Sequence, residues 1–316
     1  MTLNYDHYRT GRRRKRARAA RIPIILVLAA GVVAGALLLH LPAKLLGAAA
    51  NQPAPRKLSD LFREQKYNDV IGAADAILAG DPLNAAALSY RGFASFYKAV
   101  SADPQEEKLQ SLDQAIVSLR RARIAGTPFP GETDYVLGKA YFNKGKYYYD
   151  LAIASMESSL ARGYVQKDSH EYIGQAWNQL GNNEKALAEL LTALKDDQGD
   201  LLLLTIGQTY YQMKLYRDAV DYLLRTLNKT DDKAIEEQAR FRLGDIYLGT
   251  NELFKAEEQF AGIVKINPQS ADAHFDLGEV YAKMNDPVKA RAEWRQALII
   301  DPSHYGAKLR YYGGKR

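Results

Sequence analysis

The sequence predicts an all-α protein, a superhelical solenoid of about seven helix-pair repeats behind a single N-terminal transmembrane helix. Two observations lead to this prediction. A glycine–tyrosine pattern recurs about every 34 residues through 51–304, and an apolar segment of 22 residues follows a basic tail. Recurrence at such a period is typical of stacked helix pairs, because one pair alone cannot bury its apolar face.

The apolar segment, residues 22–43, lies between Arg21 and Lys44, and its only polar side chain is His40. A helix of this length extends about 33 Å, enough to cross a bilayer core of about 30 Å. A cleaved secretory signal is the alternative, because "GAAANQ" offers a cleavage site after Ala50. The segment is longer than the roughly 7–15 apolar residues usual for a signal. We therefore favour a retained anchor and leave cleavage open.

The tail before the anchor sets the expected orientation. Residues 1–21 contain eight lysines and arginines and one acid, Asp6. Short basic tails stay in the cytoplasm. We expect a single-pass protein of the bacterial inner (cytoplasmic) membrane, with a cytoplasmic N-terminus, a linker over 44–57 and periplasmic repeats. The absence of cysteine suits an oxidising compartment.

Charge is distributed unevenly along the chain. Residues 1–50 carry a net charge of +8 and the basic C-terminal tail, residues 305–316, carries +4, within a whole-chain charge of +6. Residues 51–304 therefore carry −6. A mildly acidic body has no nucleic-acid signature, so no nucleic-acid partner is expected.

The repeat pattern is clearest near the C-terminus. Gly244 with Tyr247 and Gly278 with Tyr281 share one spacing, and 34 residues separate the two glycines. An alanine, an aromatic residue and a proline follow each pair: Ala256, Phe260 and Pro268 in one copy, Ala290, Trp294 and Pro302 in the other. The pattern resembles the tetratricopeptide repeat (TPR), here in an N-terminally membrane-anchored bacterial type of protein. The resemblance covers 51–304.

The glycines at repeat positions set the predicted repeat boundaries. The repeats lie near 51–84, 85–130, 131–166, 167–199, 200–236, 237–270 and 271–304. The first copy is the weakest, because Leu58 stands where the glycine is expected. Gly92 and Gly138 are 46 residues apart, and we expect most of the excess to form an extended turn within Ala99–Gln114.

Two further spacings exceed the period by a few residues. We place these smaller excesses in Lys144–Asp150 and Lys229–Glu237, both expected to be loops. The Ala99–Gln114 insertion is interpreted as a surface insertion, with a partner-specific contact as the alternative.

The sequence contains no pattern that indicates catalysis. His170 and His274 occupy equivalent positions, four residues before Gly174 and Gly278, where a packing residue is usual. No cluster has metal-ligand spacing, and no phosphate-binding glycine loop or G-x-S-x-G turn is present. We expect no enzyme activity, no cofactor and no metal.

The resemblance implies that the first helix of each repeat lines a concave groove. Positions i, i+4, i+7 and i+8 of each first helix should face it. The candidate partner-binding residues are Phe93, Phe96, Tyr97, Tyr135, Phe142, Asn143, Gln175, Asn178, Gln179, Gln208, Tyr211 and Gln212. The groove should change from aromatic near the membrane, through amide-rich, to mildly acidic, where Phe241 and Phe275 are expected to pack between repeats.

Two alternatives bear on this groove. The aromatic cluster could instead seal the join between the imperfect first repeat and the rest. Some members of the family hold acidic C-termini with a clamp of basic residues, but only Lys139 and Lys283 are basic on this face. An acidic tail is therefore a poor ligand.

The predicted function is that of a non-enzymatic scaffold anchored in the inner membrane, recruiting an envelope protein or peptide in its groove. Proteins of this layout belong to assemblies such as secretion, cell-wall, pilus or periplasmic flagellar-motor (collar) complexes, and the sequence does not choose among them. The partners expected are other envelope proteins and, through 22–43, the lipid bilayer. Self-association into a multi-copy assembly is left open. The alternatives are a released periplasmic chaperone or binding module and a cytoplasm-facing adaptor.

Overall fold

The computed structural model describes residues 57–101, 105–196 and 198–313, and in these ranges the chain forms fifteen α-helices. They are α1 (Leu58–Arg63), α2 (Tyr67–Gly80), α3 (Ala85–Ser101), α4 (Gln105–Ile124), α5 (Pro130–Lys144), α6 (Tyr149–Ala161), α7 (Ser169–Gln179), α8 (Asn183–Ala193), α9 (Asp200–Gln212), α10 (Tyr216–Lys229), α11 (Lys233–Gly249), α12 (Leu253–Ile266), α13 (Ala271–Lys283), α14 (Pro287–Ile300) and α15 (Tyr305–Gly313). A short 3₁₀ helix, Lys146–Tyr148, precedes α6. The predicted basic tail, membrane anchor and most of the linker lie outside the described residues. No helix within the described ranges is both long and apolar enough to cross a membrane.

The helices form seven consecutive pairs, followed by the single helix α15. Odd-numbered helices from α1 to α13 are the first helices of the repeats, and even-numbered helices are the second helices. Each helix packs against the helices before and after it in sequence, and α15 packs against α14. The arrangement is the all-α superhelical TPR array that the 34-residue period predicts.

The repeat glycines lie where two helices of one pair cross closely. A Cβ atom added to Gly244 would lie 2.6 Å from Cζ of Phe260, and one added to Gly278 would lie 2.5 Å from Cδ1 of Trp294. Real Cβ atoms do not come so close to a ring, so glycine is required there by packing. The recurrence of glycine in the sequence therefore reflects helix crossings, as predicted.

The apolar core runs from repeat to repeat through the array. One cluster of buried residues spans α3 to α7 and includes Leu119, Leu137 and Met156. Another spans α9 to α13 and includes Leu223 and Phe260. Because each pair buries its apolar face against its neighbours, the array is stabilised by contacts between adjacent repeats.

The prediction of an extended turn within Ala99–Gln114 is wrong. Helix α3 continues to Ser101 and α4 begins at Gln105, so that most of the insertion is helical. The segment "QEEKLQSLDQ" consists largely of strong helix formers, and Ser111 and Leu112 face the core. The inserted residues therefore lengthen two helices.

The excess placed in Lys229–Glu237 also adds helix. Helix α11 begins at Lys233, and the side chain of Asp232 accepts hydrogen bonds from the backbone N–H groups of Ala234 and Ile235. An aspartate at this position stabilises a helix start. The excess placed in Lys144–Asp150 forms the short 3₁₀ helix there, as an irregular connection between α5 and α6.

The sequence predicts only a basic tail for residues 305–316, but Tyr305–Gly313 forms α15. A Cβ atom on Gly306 would lie 2.8 Å from the ring of Phe275, so the helix sits close against α13. Arg310 donates two hydrogen bonds to the carboxylate of Glu279, at 2.9 and 2.6 Å. The last pair is thus covered by one further helix, whose exposed side chains include Tyr305, Leu309 and Tyr312 beside the basic residues.

Candidate partner-binding groove

The first helices line the inner face of the array. Each first helix from α1 to α9 contacts the first helix of the next repeat, whereas the second helices among the described residues make no comparable contacts with one another. First helices therefore lie closer together than second helices, so the stack curves around them. Their exposed side chains form the concave groove.

Three of the predicted groove residues are buried: Phe93, Phe96 and Tyr135. Phe93 and Phe96 are each 2% exposed and belong to the core cluster that spans α3 to α7. The ring of Phe62, from the short helix α1, lies 6.2 Å from the ring of Phe93. The imperfect first repeat covers this face of α3, so these two rings seal the join and present no surface to a partner.

Tyr97 remains open to solvent at the same end of the groove. Its side chain is 39% exposed and its ring stacks on that of Tyr67, with centroids 5.7 Å apart and planes 16° from parallel. Phe62 packs against the edge of Tyr97 at 5.7 Å. At this end of the groove the exposed aromatic side chain is therefore Tyr97, which packs on Phe62 and Tyr67 of the first repeat.

Buried Tyr135 belongs to a polar cluster with Lys139 and Asp168, which are partly exposed. The Tyr135 hydroxyl donates to Oδ1 of Asp168 at 2.6 Å, and Nζ of Lys139 donates to Oδ2 of Asp168 at 2.9 Å. Burial, and then the bond to Asp168, raises the pKa of Tyr135. Burial alone would lower the pKa of Lys139, but the bond to Asp168 and the nearby tyrosines reverse this and raise it. The ammonium group is therefore charged and already paired.

This pairing excludes Lys139 as a ligand for a partner's carboxylate. Lys283, the other basic residue on the groove face, donates to the carbonyl oxygen of Leu248 at 3.0 Å. The prediction that an acidic tail is a poor ligand is consistent with both contacts.

Phe142 and Asn143 are partly buried at the end of α5. The ring of Phe142 lies 5.0 Å from that of Tyr172 and 5.4 Å from that of Tyr149. Nδ2 of Asn143 donates to the carbonyl oxygen of Lys139 at 2.9 Å. Both side chains support the groove surface and offer a partner only part of their area.

The amide residues divide into bonded and free ones. Gln175 donates to Glu171 of the same helix at 2.9 Å, whereas Asn178 donates to Oγ1 of Thr209 at 2.8 Å and so links the first helices α7 and α9. Gln179 and Gln212 are exposed at the ends of α7 and α9. The exposed amides are available to pair with the backbone of an extended ligand.

The acidic end of the groove contains a cleft of about 500 Å³. Its walls come from α9, α11, α13 and the start of α15: Gln208, Gln238, Phe241, Arg242, Asp245, Asp272, Phe275, Asp276, His304 and Gly306. Tyr211 lies beside it, with its hydroxyl 3.4 Å from Asp245 and its ring under the guanidinium of Arg242. The cleft brings Gln208 and Tyr211 of the predicted site next to carboxylates that the prediction omitted.

Asp276 is the residue that sequence reasoning missed. It lies two residues before Gly278, off the positions assigned to the groove, and no repeat motif marks it. Burial, followed by the negative charges of Asp245, Asp272 and Glu279, raises its pKa to about 7. A partly buried carboxylate beside other carboxylates resists ionisation unless a cation compensates it.

Glu132 is a second partly buried carboxylate on the groove face. It lies in the first turn of α5, and burial raises its pKa. Its charge acts on Tyr90, Tyr97 and Tyr164, so tyrosine side chains surround it. The aromatic end of the groove therefore also has a negative site that the sequence did not indicate.

The two predicted packing histidines occupy matching environments away from the groove chemistry. Nδ1 of His170 lies 2.6 Å from Oε2 of Glu189, and Nδ1 of His274 lies 2.6 Å from Oε2 of Glu293. Their equivalence is confirmed. Over the parts of the chain that the structure describes, no three His, Asp or Glu side chains are grouped so as to hold a metal ion.

The fold and groove define a helical-repeat protein that binds other proteins. Models of the tetratricopeptide repeat match residues 135–200, 204–271 and 271–304, which together make up more than half of the chain. The chain belongs to the tetratricopeptide repeat family. No curated protein sequence matches it.

Solved structures of similar fold include three TPR proteins. The C-terminal part of a TPR repeat-containing protein from Cytophaga hutchinsonii is 17% identical, with a TM-score of 0.62 over 80% of this chain and 97% of that one. YrrB, described as a TPR protein with an unusual peptide-binding site, is 19% identical, with a TM-score of 0.52 over 63% of this chain and 98% of its own. A TPR protein from Parabacteroides merdae is 18% identical, with a TM-score of 0.51 over 68% and 84%. At these identities the likeness is one of fold.

Proposed function

We propose that this protein is a non-enzymatic scaffold of the bacterial inner membrane that recruits an envelope protein or peptide into its concave groove. The observation that carries the proposal is the groove itself, lined by first helices and ending in an open cleft of about 500 Å³. Members of the family are typically scaffolds for protein–protein interaction and typically non-enzymatic. The envelope location rests on the apolar segment 22–43 and the basic residues before it.

Groove recruitment is tested by photo-crosslinking in cells. A photoreactive amino acid replaces Gln212, exposed on first helix α9, or Gln110, exposed on second helix α4, as the matched control. The proposal expects one or more discrete crosslinked products from position 212 and none of the same mass from position 110. Equal products from both positions would show that binding does not use the groove.

Location is tested separately by adding protease to spheroplasts. Periplasmic repeats are degraded while the membrane is intact, whereas repeats protected until lysis would support the cytoplasm-facing adaptor. Mass measurement of the mature protein decides whether the anchor is kept. A chain that begins at Asn51 would identify a released periplasmic binding module, since cleavage after Ala50 removes the whole apolar segment.

A further inference from the structure

The cleft at the C-terminal end of the groove has two apolar walls and an acidic floor. Phe241 of α11 and Phe275 of α13 line it, together with Asp245, Asp272 and Asp276. Phe275 is held by His304, whose ring lies 4.9 Å away. A site with phenyl rings beside carboxylates suits a flat cation, which can stack on a ring and donate hydrogen bonds in its own plane.

The charges that face the cleft do not balance. Arg242 lies 3.4 Å from Asp245, His304 lies 3.1 Å from Asp272, and Arg310 is bonded to Glu279. Four carboxylates thus meet two guanidinium groups and the imidazole of His304, which leaves Asp276 as the carboxylate without such a partner. Among the described residues Asp276 has no hydrogen-bond or ion-pair partner, although it is partly buried and lines the cleft. The cleft therefore lacks a cation next to Asp276.

We propose that the cleft binds an arginine side chain of the recruited partner, with its guanidinium group paired to Asp276 and stacked on the phenyl walls. This inference rests on the proposed function and adds the chemistry of the partner. Arginine fits better than lysine, because its planar group matches both the rings and the bidentate geometry of a carboxylate. The groove would then recognise a basic residue of a peptide. A clamp of basic residues would instead recognise an acidic terminus.

Binding of a cation at this position carries a pH dependence. The pKa of Asp276 is raised to about 7 by burial and by Asp245, Asp272 and Glu279, and a bound guanidinium favours its ionised form. Arg242, Arg310 and His304 are the cationic or titratable groups that face the same carboxylates. Affinity should therefore increase as pH rises from 6 to 8.

The test is selection of peptides from a random twelve-residue library by the full-length protein in detergent. The expected result is enrichment of arginine at one fixed position in the selected peptides. One selected peptide is then measured by fluorescence anisotropy beside a copy with citrulline in place of that arginine. Loss of the charge should weaken binding about 10-fold or more, as for a charge-assisted hydrogen bond.

Variants separate this cleft from the rest of the groove. Asp276→Asn should abolish both the arginine preference and the pH dependence, whereas Asp231→Asn, in the exposed loop before α11, should preserve them. A Tm of Asp276→Asn at pH 5 that is no lower than that of the parent shows that the variant is folded.

Two results would overturn the inference. Selected peptides with no basic preference, or with one that Asp276→Asn retains, would reject the cleft while supporting a peptide-binding groove. The second result is that the parent protein selects no peptide, whereas a variant with both Lys315→Ser and Arg316→Ser selects peptides. It would identify the chain's own C-terminal residues as the occupant of the cleft. No selection from either form would contradict the proposed peptide-binding function as well.

Discussion

Nδ1 of His274 lies 2.6 Å from Oε2 of Glu293 and thereby joins the first and second helices of the last repeat. His170 and Glu189 make the same bond three repeats earlier, again across one helix pair. A bond that recurs between two crossing helices fixes their relative position in addition to the apolar contacts.

Replacing His274 should therefore lower stability. His274 is 7% exposed, so His274→Ala loses a mostly buried bond and leaves Glu293 without it, at a cost of about 1–3 kcal/mol. The equivalent His170→Ala, in a less buried site, should cost less. The measurement is urea unfolding of both variants at one pH, and an equal or larger loss for His170→Ala would contradict the packing account.

The helix crossing at Gly244 gives a second prediction. Gly244→Ala places a methyl group against the ring of Phe260 and should destabilise by about 1–3 kcal/mol. Gly249→Ala, at the end of the same helix, meets nothing within 4 Å and is the matched control. Thermal unfolding followed by circular dichroism should show a lower Tm only for the first variant. Tolerance of alanine at 244 would mean that the crossing relaxes easily.

Phe96 and Tyr97 should behave differently although they are neighbours. Phe96→Ala removes a buried ring and should destabilise by about 3–5 kcal/mol. Tyr97→Ala should lower Tm much less, because the ring is partly exposed, while weakening capture of a groove-bound partner. Unfolding curves and crosslinking yields from position 212 check both effects. Equal loss of Tm in the two variants would show that Tyr97 is part of the core.

The carboxylate of Asp276 predicts how stability changes with pH. Its folded pKa, about 7, lies above the ordinary value of 3.8, so the folded state binds the proton more tightly than the unfolded state. The contribution of Asp276 to stability therefore falls as pH rises from about 4 to 7. Asp276→Asn should remove this fall and make the protein more stable than the parent at pH 8, by about 1 kcal/mol or more.

Unfolding by urea at pH 4 and pH 8 measures this effect. At pH 4 the carboxyl group is protonated in the folded state and about half ionised in the unfolded state, so the parent should be only slightly less stable than Asp276→Asn there and much less stable at pH 8. Asp231→Asn supplies the matched comparison at an exposed position. A difference of the same size at both pH values would mean that ionisation of Asp276 is not its source.

The series of helix pairs could be predicted because a close crossing admits only glycine. The requirement is visible in a single sequence as the recurring glycines Gly244 and Gly278. The burial of the side of α3 that carries Phe93 and Phe96 could not be predicted in the same way. Its burial depends on Phe62 of the short α1, in the one repeat without the glycine signal.

The acidic cleft also escaped prediction for a physical reason. Its lining comes from four helices. Asp272, Asp276 and Glu279 share one face of α13 by their spacing in the sequence, but the fold brings Asp245 of α11 beside them, and no spacing within one repeat shows that contact. Similarly, the extra residues after Gly92 were expected to form a turn because their number was visible, whereas their strong helix propensity decides that they extend α3 and α4.

The extension of α3 and α4 has a consequence for the outline of the molecule. Helix α3 runs nine residues past Gly92, whereas α13 runs five past Gly278, so α3 is longer by four residues, or about 6 Å, on the side of the turns within pairs. One pair thus projects like a spur from an otherwise level edge. Any flat object brought against that edge, such as a lipid surface or a second copy, touches the spur first and is held away from the neighbouring repeats.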